Sequence, residues 1–315
     1  MAGTVLLLAA LCAQPVPSAA PPPAGPLPPK APADRTDGPP VVTAKAWAVA
    51  DGATGKVLWG SAADEPRPIA STTKIMTARV VLRLAAADPK VLDEVVTYSD
   101  AAARTPGSTA GLKTGERVPV RELLYGLLLP SGNDAAVALA EHFGARLDSA
   151  GRADGPVKGF VAEMNRQAEA LGLKATSYSD PNGLSRENRS TARDLARLTA
   201  ETFKDDRFRA YVATRRHSCE VTAQDGTKRT VTWTNTNKLL DIDGYDGVKT
   251  GTTTPAGNCL VASGRRGTDH LLVVVLGSSA TDGRYADARN LFRWAWRERA
   301  AGAGGPAAAP PVERE

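Results

Sequence analysis

The order in which hydrophobic periodicity changes along this chain limits its fold more than any other feature. Near the start, strand-like runs at 46–49 and 56–59 flank the turn residues 51–55, which predicts a β-hairpin. From Ser71 to about residue 87 the apolar positions instead recur at helical spacing. The same spacing predicts four further helices, at 121–128, 134–147, 157–171 and 191–202. Strands therefore open the folded part of the chain, and helices fill its middle.

The pattern returns to strands in the last third of the chain. Alternating residues at 220–223 and 230–234 surround Asp225-Gly226, which predicts a second hairpin. Three strand-like runs and a final helix follow, at 247–250, 259–262, 270–276 and 285–299. Trp294 and Trp296 are expected to pack this helix on a sheet. The whole order predicts an α+β fold: an antiparallel β-sheet flanked by helices, with a helical subdomain.

The two ends of the chain differ in composition from this middle part. Residues 1–20 are predicted to be a signal peptide, because a short apolar run precedes the small residues Ser18-Ala19-Ala20, although no Lys or Arg precedes that run. Residues 21–40 are rich in Pro and Ala and predict a linker. The Gly/Ala/Pro-rich residues 301–315 predict a disordered tail. Residues 41–300 remain as one folded domain, and we expect an extracytoplasmic protein without a C-terminal membrane anchor.

Charge and cysteine content argue against several classes of function. The 39 basic and 34 acidic residues give a net charge of +5, but the charges are scattered, which argues against nucleic-acid binding. The three histidines lie in unrelated sequence contexts, so neither a metal site nor another cofactor is expected. Removal of the signal peptide would leave Cys219 and Cys259, which the sequence allows either to pair or to stay free.

Ser71-Thr72-Thr73-Lys74 places a hydroxyl and an amine on one face of the first predicted helix. A serine hydroxyl needs an adjacent base to act as a nucleophile, and a lysine can supply one if burial lowers its pKa. The helix N-terminus adds N–H groups where an oxyanion could form. Taken alone, this tetrapeptide fits an N-cap serine beside a surface lysine better than a catalytic pair.

Two further motifs carry polar groups at the ends of predicted elements. Ser131-Gly132-Asn133 presents a hydroxyl and an amide, which could relay a proton and bind a peptide, or simply cap the helix at 134–147. Lys249-Thr250-Gly251 ends a strand, where a cation and a hydroxyl could hold a carboxylate while Gly allows close approach. A second copy, Lys113-Thr114-Gly115, lies in a polar stretch and is interpreted as a turn.

The order of the three motifs decides between these interpretations. Ser-x-x-Lys, Ser-x-Asn and Lys-Thr-Gly follow one another, each in its expected structural setting, as in penicillin-binding proteins and class A β-lactamases. From about residue 46 to residue 296 the chain resembles the low-molecular-mass penicillin-binding proteins, the serine-type D-alanyl-D-alanine carboxypeptidases. The resemblance includes residues 69–77, 131–135, 180–184, 235–240, 247–251 and 256–257.

The resemblance implies a catalytic role for several of these residues. Ser71 would attack the carbonyl of the penultimate D-alanine of a wall peptide, and Lys74 would accept its proton. Ser131 would line the cleft as a third catalytic side chain. Lys249 would lower the pKa of Lys74. The backbone N–H groups of Ser71 and Thr252 would form the oxyanion hole.

The resemblance also implies a set of substrate-binding residues. They are Asn133, Lys249, Thr250, Gly251, Thr252 and Arg284. Lys249 and Thr250 would hold the terminal carboxylate of the peptide, with Arg284 nearby. The expected partners are peptidoglycan stem peptides, with β-lactam antibiotics as inhibitors, and the expected state is a monomer that is secreted or associated with the cell wall.

Three alternative functions use the same residues or leave them idle. A class A β-lactamase needs a glutamate that activates the deacylating water, and no Glu-x-x-Leu-Asn segment lies between Asn133 and Lys249, so slow release of bound penicillin is expected. A D,D-endopeptidase would apply the same chemistry to peptidoglycan cross-links. A non-catalytic wall-peptide-binding protein would leave Ser71, Lys74 and Lys249 without a purpose.

Overall fold

The computed structural model describes residues 38–148, 151 and 154–302. Its strands are β1 (Ala46–Asp51), β2 (Val57–Ser61), β3 (Arg67–Pro68), β4 (Val95–Thr97), β5 (Arg117–Pro119), β6 (Arg189–Ser190), β7 (Arg216–Thr222), β8 (Lys228–Thr234), β9 (Tyr245–Thr253), β10 (Gly257–Arg266) and β11 (Asp269–Ser278). Its helices are α1 (Lys74–Ala87), α2 (Asp100–Ala103), α3 (Val120–Leu128), α4 (Asn133–Leu147), α5 (Pro156–Ala170), α6 (Ala192–Thr202), α7 (Asp206–Ala213) and α8 (Gly283–Gly302). Short 3₁₀ turns lie at Ala70–Thr73, Pro89–Asp93 and Lys238–Asp241.

Five strands form the central antiparallel sheet, in the order β2-β1-β11-β10-β9. Its middle strands are continuously apolar because both faces of the sheet are covered. Along β11, Leu272 and Val274 pack into the helical core, whereas Leu271 and Val273 face the cluster that contains α8. β9 is left at one edge of this sheet, with Lys249, Thr250 and Gly251 in its second half.

The aromatic residues of α8 fix that helix on the sheet, as the sequence predicts. The ring of Trp294 meets Trp47 and Trp59 edge-on, with centroid distances of 6.3 and 5.1 Å. Trp296 stacks on Phe292 at 5.0 Å, and both side chains belong to the buried cluster between α8 and the sheet. Edge-on and offset ring pairs add to the free energy of burial, so this contact holds the last helix in place.

The opposite face of the sheet carries the helices of the middle region. α1 is almost wholly buried and packs against α3, α4, α5, α6 and α7. A separate four-stranded sheet, ordered β4-β5-β7-β8, contains the second predicted hairpin. The predicted α+β fold, with an antiparallel sheet flanked by helices, is confirmed.

Several local details differ from the sequence prediction. The first helix begins at Lys74 rather than Ser71, because Ala70–Thr73 forms a 3₁₀ turn that is entered through Ala70 at φ +47°. β4, β5 and α7 were not predicted, since three-residue strands and an eight-residue helix are too short to show a period. Cys219 and Cys259 are both unpaired.

The predicted signal peptide, most of the predicted linker and nearly all of the predicted tail lie outside the described residues. The division into four segments therefore stays a prediction. Among the helices of residues 38–302 that the structure describes, none combines the length and the apolar character needed to cross a bilayer.

Candidate active site

The end of β9 lies directly against the turn that carries Ser71. A Cβ atom placed on Gly251 would stand 2.9 Å from the Ser71 nitrogen and 3.1 Å from the Thr72 nitrogen. Real Cβ atoms hardly ever come within 3.0 Å of another heavy atom. Glycine at this position therefore lets the strand edge reach the backbone of the serine.

Lys74 joins the three motifs through its ammonium group, although the side chain is fully buried. Its Nζ lies 3.0 Å from Ser71 Oγ, 2.7 Å from Asn133 Oδ1 and 2.7 Å from the carbonyl oxygen of Asn182. A lysine has three donors and no acceptor while it is charged, so these contacts use all three. If Lys74 loses the proton that it directs at Ser71, its Nζ atom has a lone pair that faces the Ser71 hydroxyl.

Burial lowers the pKa of Lys74 to about 7, because the charged amine is withdrawn from water. The carboxylates of Asp180 and Asp134 oppose this shift. A lysine with a pKa near neutrality is present partly as the free amine at pH 7, which suits a general base. Burial is the largest cause of this shift, and the further lowering expected from Lys249 stays a prediction.

Lys249 is the second buried lysine of the site. Burial lowers its pKa well below the usual value, and the nearby charges of Lys74 and Arg284 lower it further. Its Nζ donates to the carbonyl oxygen of Thr250 at 3.1 Å. A carboxylate placed beside this amine would favour its charged form.

Asn133 contacts Lys74 from the start of α4, and Ser131 lies two residues before it in the chain. Asn133 accepts from Lys74 and donates its side-chain amide to the carbonyl oxygen of Pro106 at 2.7 Å, which fixes the orientation of the amide. Ser131 is buried and has φ +68°, a left-handed conformation that is unfavourable for a residue other than glycine. Its hydroxyl has no hydrogen-bond partner among the described residues. Such strained residues cluster at functional sites.

Arg284 supports β9 from behind the cleft. The side chain is buried, and its Nη1 lies 3.2 Å from the carbonyl oxygen of Gly251 and 2.9 Å from Thr252 Oγ1. Its other terminal nitrogen donates to the hydroxyl of Tyr285 at 3.3 Å. The guanidinium therefore binds the strand itself. Any effect of Arg284 on a substrate would be exerted through the position of Thr252.

A loop that received no separate role from the sequence completes the site. Asp180 accepts from the backbone nitrogens of Asn182, Gly183 and Ser185, and so shapes the turn that aims the Asn182 carbonyl at Lys74. Asn188, which is fully buried, donates to Thr73 Oγ1 at 3.1 Å. An Asp and an Asn-Gly pair signal a turn in sequence, but they do not reveal that a backbone carbonyl faces the lysine.

Thr236 is a second residue that sequence reasoning missed. Its Oγ1 lies 2.7 Å from Thr250 Oγ1, and its carbonyl oxygen accepts from the hydroxyl of Tyr285 at 2.7 Å. Its backbone nitrogen donates to Leu129 at 3.0 Å. Thr236 is therefore held from both sides beside the motif on β9.

The second Lys-Thr-Gly copy lies away from these groups. Lys113 is exposed in the turn before β5, and its backbone nitrogen donates to Glu116. This confirms its interpretation as a turn residue. Among the described residues, no group of three or more His, Cys, Asp or Glu side chains is placed to hold a metal ion.

Comparison with known proteins identifies the family. A family model described as D-alanyl-D-alanine carboxypeptidase matches residues 33–280. The chain belongs to the D-alanyl-D-alanine carboxypeptidase family. A member from Streptomyces sp. (strain K15) is 39% identical over 270 residues, which cover 84% of this chain and 90% of that protein.

Further members of the family differ in length and in name. D-alanyl-D-alanine carboxypeptidase DacF of Bacillus subtilis is 34% identical over 78% of this chain, which spans only 60% of that protein. A D-alanyl-D-alanine endopeptidase of Pseudomonas aeruginosa is 35% identical over 78% of this chain and 75% of its own length. The crystal structure of the Streptomyces K15 DD-transpeptidase superposes with a TM-score of 0.76 at 37% identity, covering 82% of this chain and 99% of the other.

Proposed function

We propose that this family member removes the terminal D-alanine from peptidoglycan pentapeptide stems through an acyl-enzyme on Ser71. The observation that carries the proposal is the contact of 3.0 Å between Ser71 Oγ and a buried lysine whose pKa is about 7. Ser71 Oγ bonds to the carbonyl carbon of the penultimate D-alanine while Lys74 takes the hydroxyl proton. The C–N bond then breaks, and the departing amine receives a proton. Water finally hydrolyses the ester and frees Ser71.

The backbone of the site suits the charge that develops during this reaction. The oxyanion would lie between the N–H groups of Ser71 and Thr252. The close packing of Gly251, the residue before Thr252, on the serine turn supports this assignment. Preorganised backbone donors of this kind stabilise the tetrahedral intermediate strongly. Ser131, which is buried and has a left-handed backbone conformation, would relay the proton from Lys74 to the leaving amine.

The carboxylate of the terminal D-alanine would lie at β9. Thr250 donates its hydroxyl to this carboxylate, and Lys249 gains a proton as the anion approaches, since an adjacent negative charge raises its pKa. A carboxylate can only accept hydrogen bonds, so Thr236 must then donate to Thr250. Asn133 would hold the peptide, and Arg284 would act by positioning Thr252.

Two other activities are separated by their products. The relative named D-alanyl-D-alanine endopeptidase makes cleavage of cross-links the second candidate. Incubation with purified muropeptides, followed by mass spectrometry, distinguishes the two: we expect pentapeptides to lose one D-alanine. Conversion of cross-linked dimers to monomers would favour the endopeptidase. A folded protein that changes neither would be a non-catalytic wall-peptide-binding protein.

Penicillins are expected to acylate Ser71 and to leave it slowly, because no glutamate in a Glu-x-x-Leu-Asn segment is available to activate water.

The proposed substrate, a peptidoglycan stem peptide, also implies that the protein works outside the cytoplasm, either secreted or associated with the wall. A monomer suffices for this chemistry, since every residue invoked belongs to one chain.

The pH dependence of acylation tests the role of Lys74. Burial lowers the pKa of this lysine to about 7, so the protonated form dominates at lower pH and cannot accept the serine proton. The second-order rate constant for acylation by a penicillin is therefore expected to fall about tenfold per pH unit below about 7. A rate that is constant from pH 5 to pH 8, in protein whose circular dichroism shows it folded, would contradict a lysine base.

Substitution of Thr236 tests the proposed direction of hydrogen bonding at β9. Thr236→Val keeps the shape but removes the donor to Thr250, so kcat/KM for a D-alanyl-D-alanine peptide is expected to fall about tenfold. Thr236→Ser should restore most of it. Thr232→Val is the matched control, because it removes a hydroxyl that bonds Ser218 at 2.8 Å on β7. Equal activity of the two valine variants would show that Thr236 has no role.

A further inference from the structure

A cleft of about 200 Å³ opens at the start of β9. The other end of this strand carries Gly251, which packs on the turn of Ser71. Arginine side chains and two aromatic rings form most of its lining. The arginines are Arg265, Arg266, Arg289 and Arg293, and the rings are those of Tyr245 and Trp296. Tyr245 and Gly251 are six residues apart on one strand, which is about 20 Å at 3.3 Å per residue. The cleft is therefore separate from the site at Ser71.

Three of these arginines have no carboxylate partner among the described residues. Arg266 lies over the ring of Trp296, with 4.2 Å between the guanidinium carbon and the ring centroid. Arg293 donates to Asn290 Oδ1 at 2.9 Å, and the side chain of Arg289 forms no hydrogen bond with the part of the chain that the structure describes. Asp243 is the one carboxylate in the lining. By contrast, Arg265 is paired with Asp246 at 2.7 Å, so the charge excess comes from the other three.

This arrangement is unfavourable in the absence of an anion. Arg289 and Arg293 are four residues apart on α8, where like charges destabilise a helix by about 0.2–0.5 kcal/mol per pair. Arg297 continues the same ridge by four more residues. Burial raises the pKa of Tyr245, while the charges of Arg289, Arg266 and Arg293 act in the opposite direction, so all three lie within electrostatic reach of one phenol. The Tyr245 hydroxyl has no hydrogen-bond partner among the described residues and can donate.

We propose that this cleft binds the phosphate groups of a phosphodiester polymer of the cell wall. Guanidinium groups match phosphate oxygens with two parallel hydrogen bonds, and the Tyr245 hydroxyl adds a neutral donor. The rise between successive arginines of the ridge is about 6 Å, which presents cations in a row to a linear chain of charges. Binding here holds the enzyme on the wall while Ser71 remains accessible to stem peptides.

The surface around the cleft favours a polymer over a membrane. Stable attachment to a lipid surface combines basic residues with inserted apolar side chains. Ile242 is the one large apolar side chain that is exposed at the cleft, at 36%. The apolar face of α8 is already buried against the sheet. The proposal requires only that the protein reaches the wall, and it does not depend on the roles assigned to Ser71 or Lys74.

Isothermal titration calorimetry with poly(glycerol phosphate) tests the proposal on the full chain. The wild-type protein is expected to bind, with an affinity that falls when salt is raised from 50 to 200 mM. The double variant Arg289→Gln, Arg293→Gln should bind at least tenfold more weakly. The control is Arg215→Gln, Arg216→Gln, which removes two exposed arginines at the start of β7 that do not line the cleft; it should bind within twofold of wild type.

The circular dichroism spectrum should be the same in all three proteins, which shows that they are folded. Equal weakening by both double variants would overturn the proposal in favour of diffuse charge attraction. Failure of the wild type to bind the polymer would also overturn it. Binding to vesicles containing 30% phosphatidylglycerol, without binding to the polymer, would instead identify the cleft as a membrane contact.

Discussion

Replacing Lys249 with methionine is expected to lower the rate of acylation by a penicillin about 100-fold, whereas Lys113→Met leaves the rate unchanged. The two lysines begin identical Lys-Thr-Gly tripeptides, but only Lys249 is buried and within electrostatic reach of Lys74. Penicillin carries a carboxylate, as the terminal D-alanine does. Hydrogen bonds to a charged group contribute about 1.5–3 kcal/mol, and each 1.4 kcal/mol is a factor of ten.

Because the two tripeptides have the same sequence, any difference between the Lys249 and Lys113 variants must come from their positions in the fold. Both variants are measured with a fluorescent penicillin under conditions where acylation is first order in protein. Circular dichroism verifies that each is folded. A loss of similar size in the Lys113 variant, or none in the Lys249 variant, would contradict the assignment of the carboxylate site to β9.

Replacing Gly183 with alanine is expected to reduce both stability and acylation, although the side chain gained is one methyl group. Gly183 has φ +90°, and a Cβ there would stand 2.1 Å from the Ala70 carbonyl oxygen and 2.9 Å from the Ser71 nitrogen. The backbone that presents the nucleophile and the oxyanion donor must then move. We expect a loss of more than about 2 kcal/mol in the free energy of unfolding and at least a tenfold slower acylation.

Gly226→Ala is the matched control for this substitution. Gly226 has φ +86°, but nothing lies within 4 Å of its added Cβ, so alanine there meets only the backbone penalty of about 1–2 kcal/mol. Its acylation rate should equal that of wild type. If the two variants lose the same stability and both acylate normally, the contact between the 180–185 loop and the serine turn has no part in catalysis.

The large elements of the fold were readable from sequence because their periods extend over many residues. α4 and the two tryptophans of α8 are examples. The turn at Ala70–Thr73 was not readable, since its geometry depends on Ala70 adopting a positive φ under tertiary contacts with Gly183 and β9. The second sheet was missed because β4 and β5 contribute only three residues each.

The candidate site likewise has some features that the sequence predicts and others that depend on the fold. Side chains that belong to motifs could be listed from the sequence, and Lys74 indeed contacts Ser71 and Asn133. The contact between the Asn182 carbonyl oxygen and Lys74 could not be predicted, because every residue has a backbone carbonyl and the residue type does not show where it points. The contact of Thr236 with Thr250 joins a loop to a strand across fourteen positions. Burial of Lys74, which sets its pKa, likewise follows from packing and not from the tetrapeptide.

The most direct test of the serine mechanism is to locate the covalent penicillin adduct. Protein incubated with benzylpenicillin is examined by intact mass spectrometry and then by peptide mapping. The proposed mechanism predicts a single adduct on Ser71 and none in Ser71→Ala, whose thermal unfolding should match that of wild type. An adduct on any other residue, or one that persists in a folded Ser71→Ala protein, would contradict the assignment of Ser71 as the nucleophile.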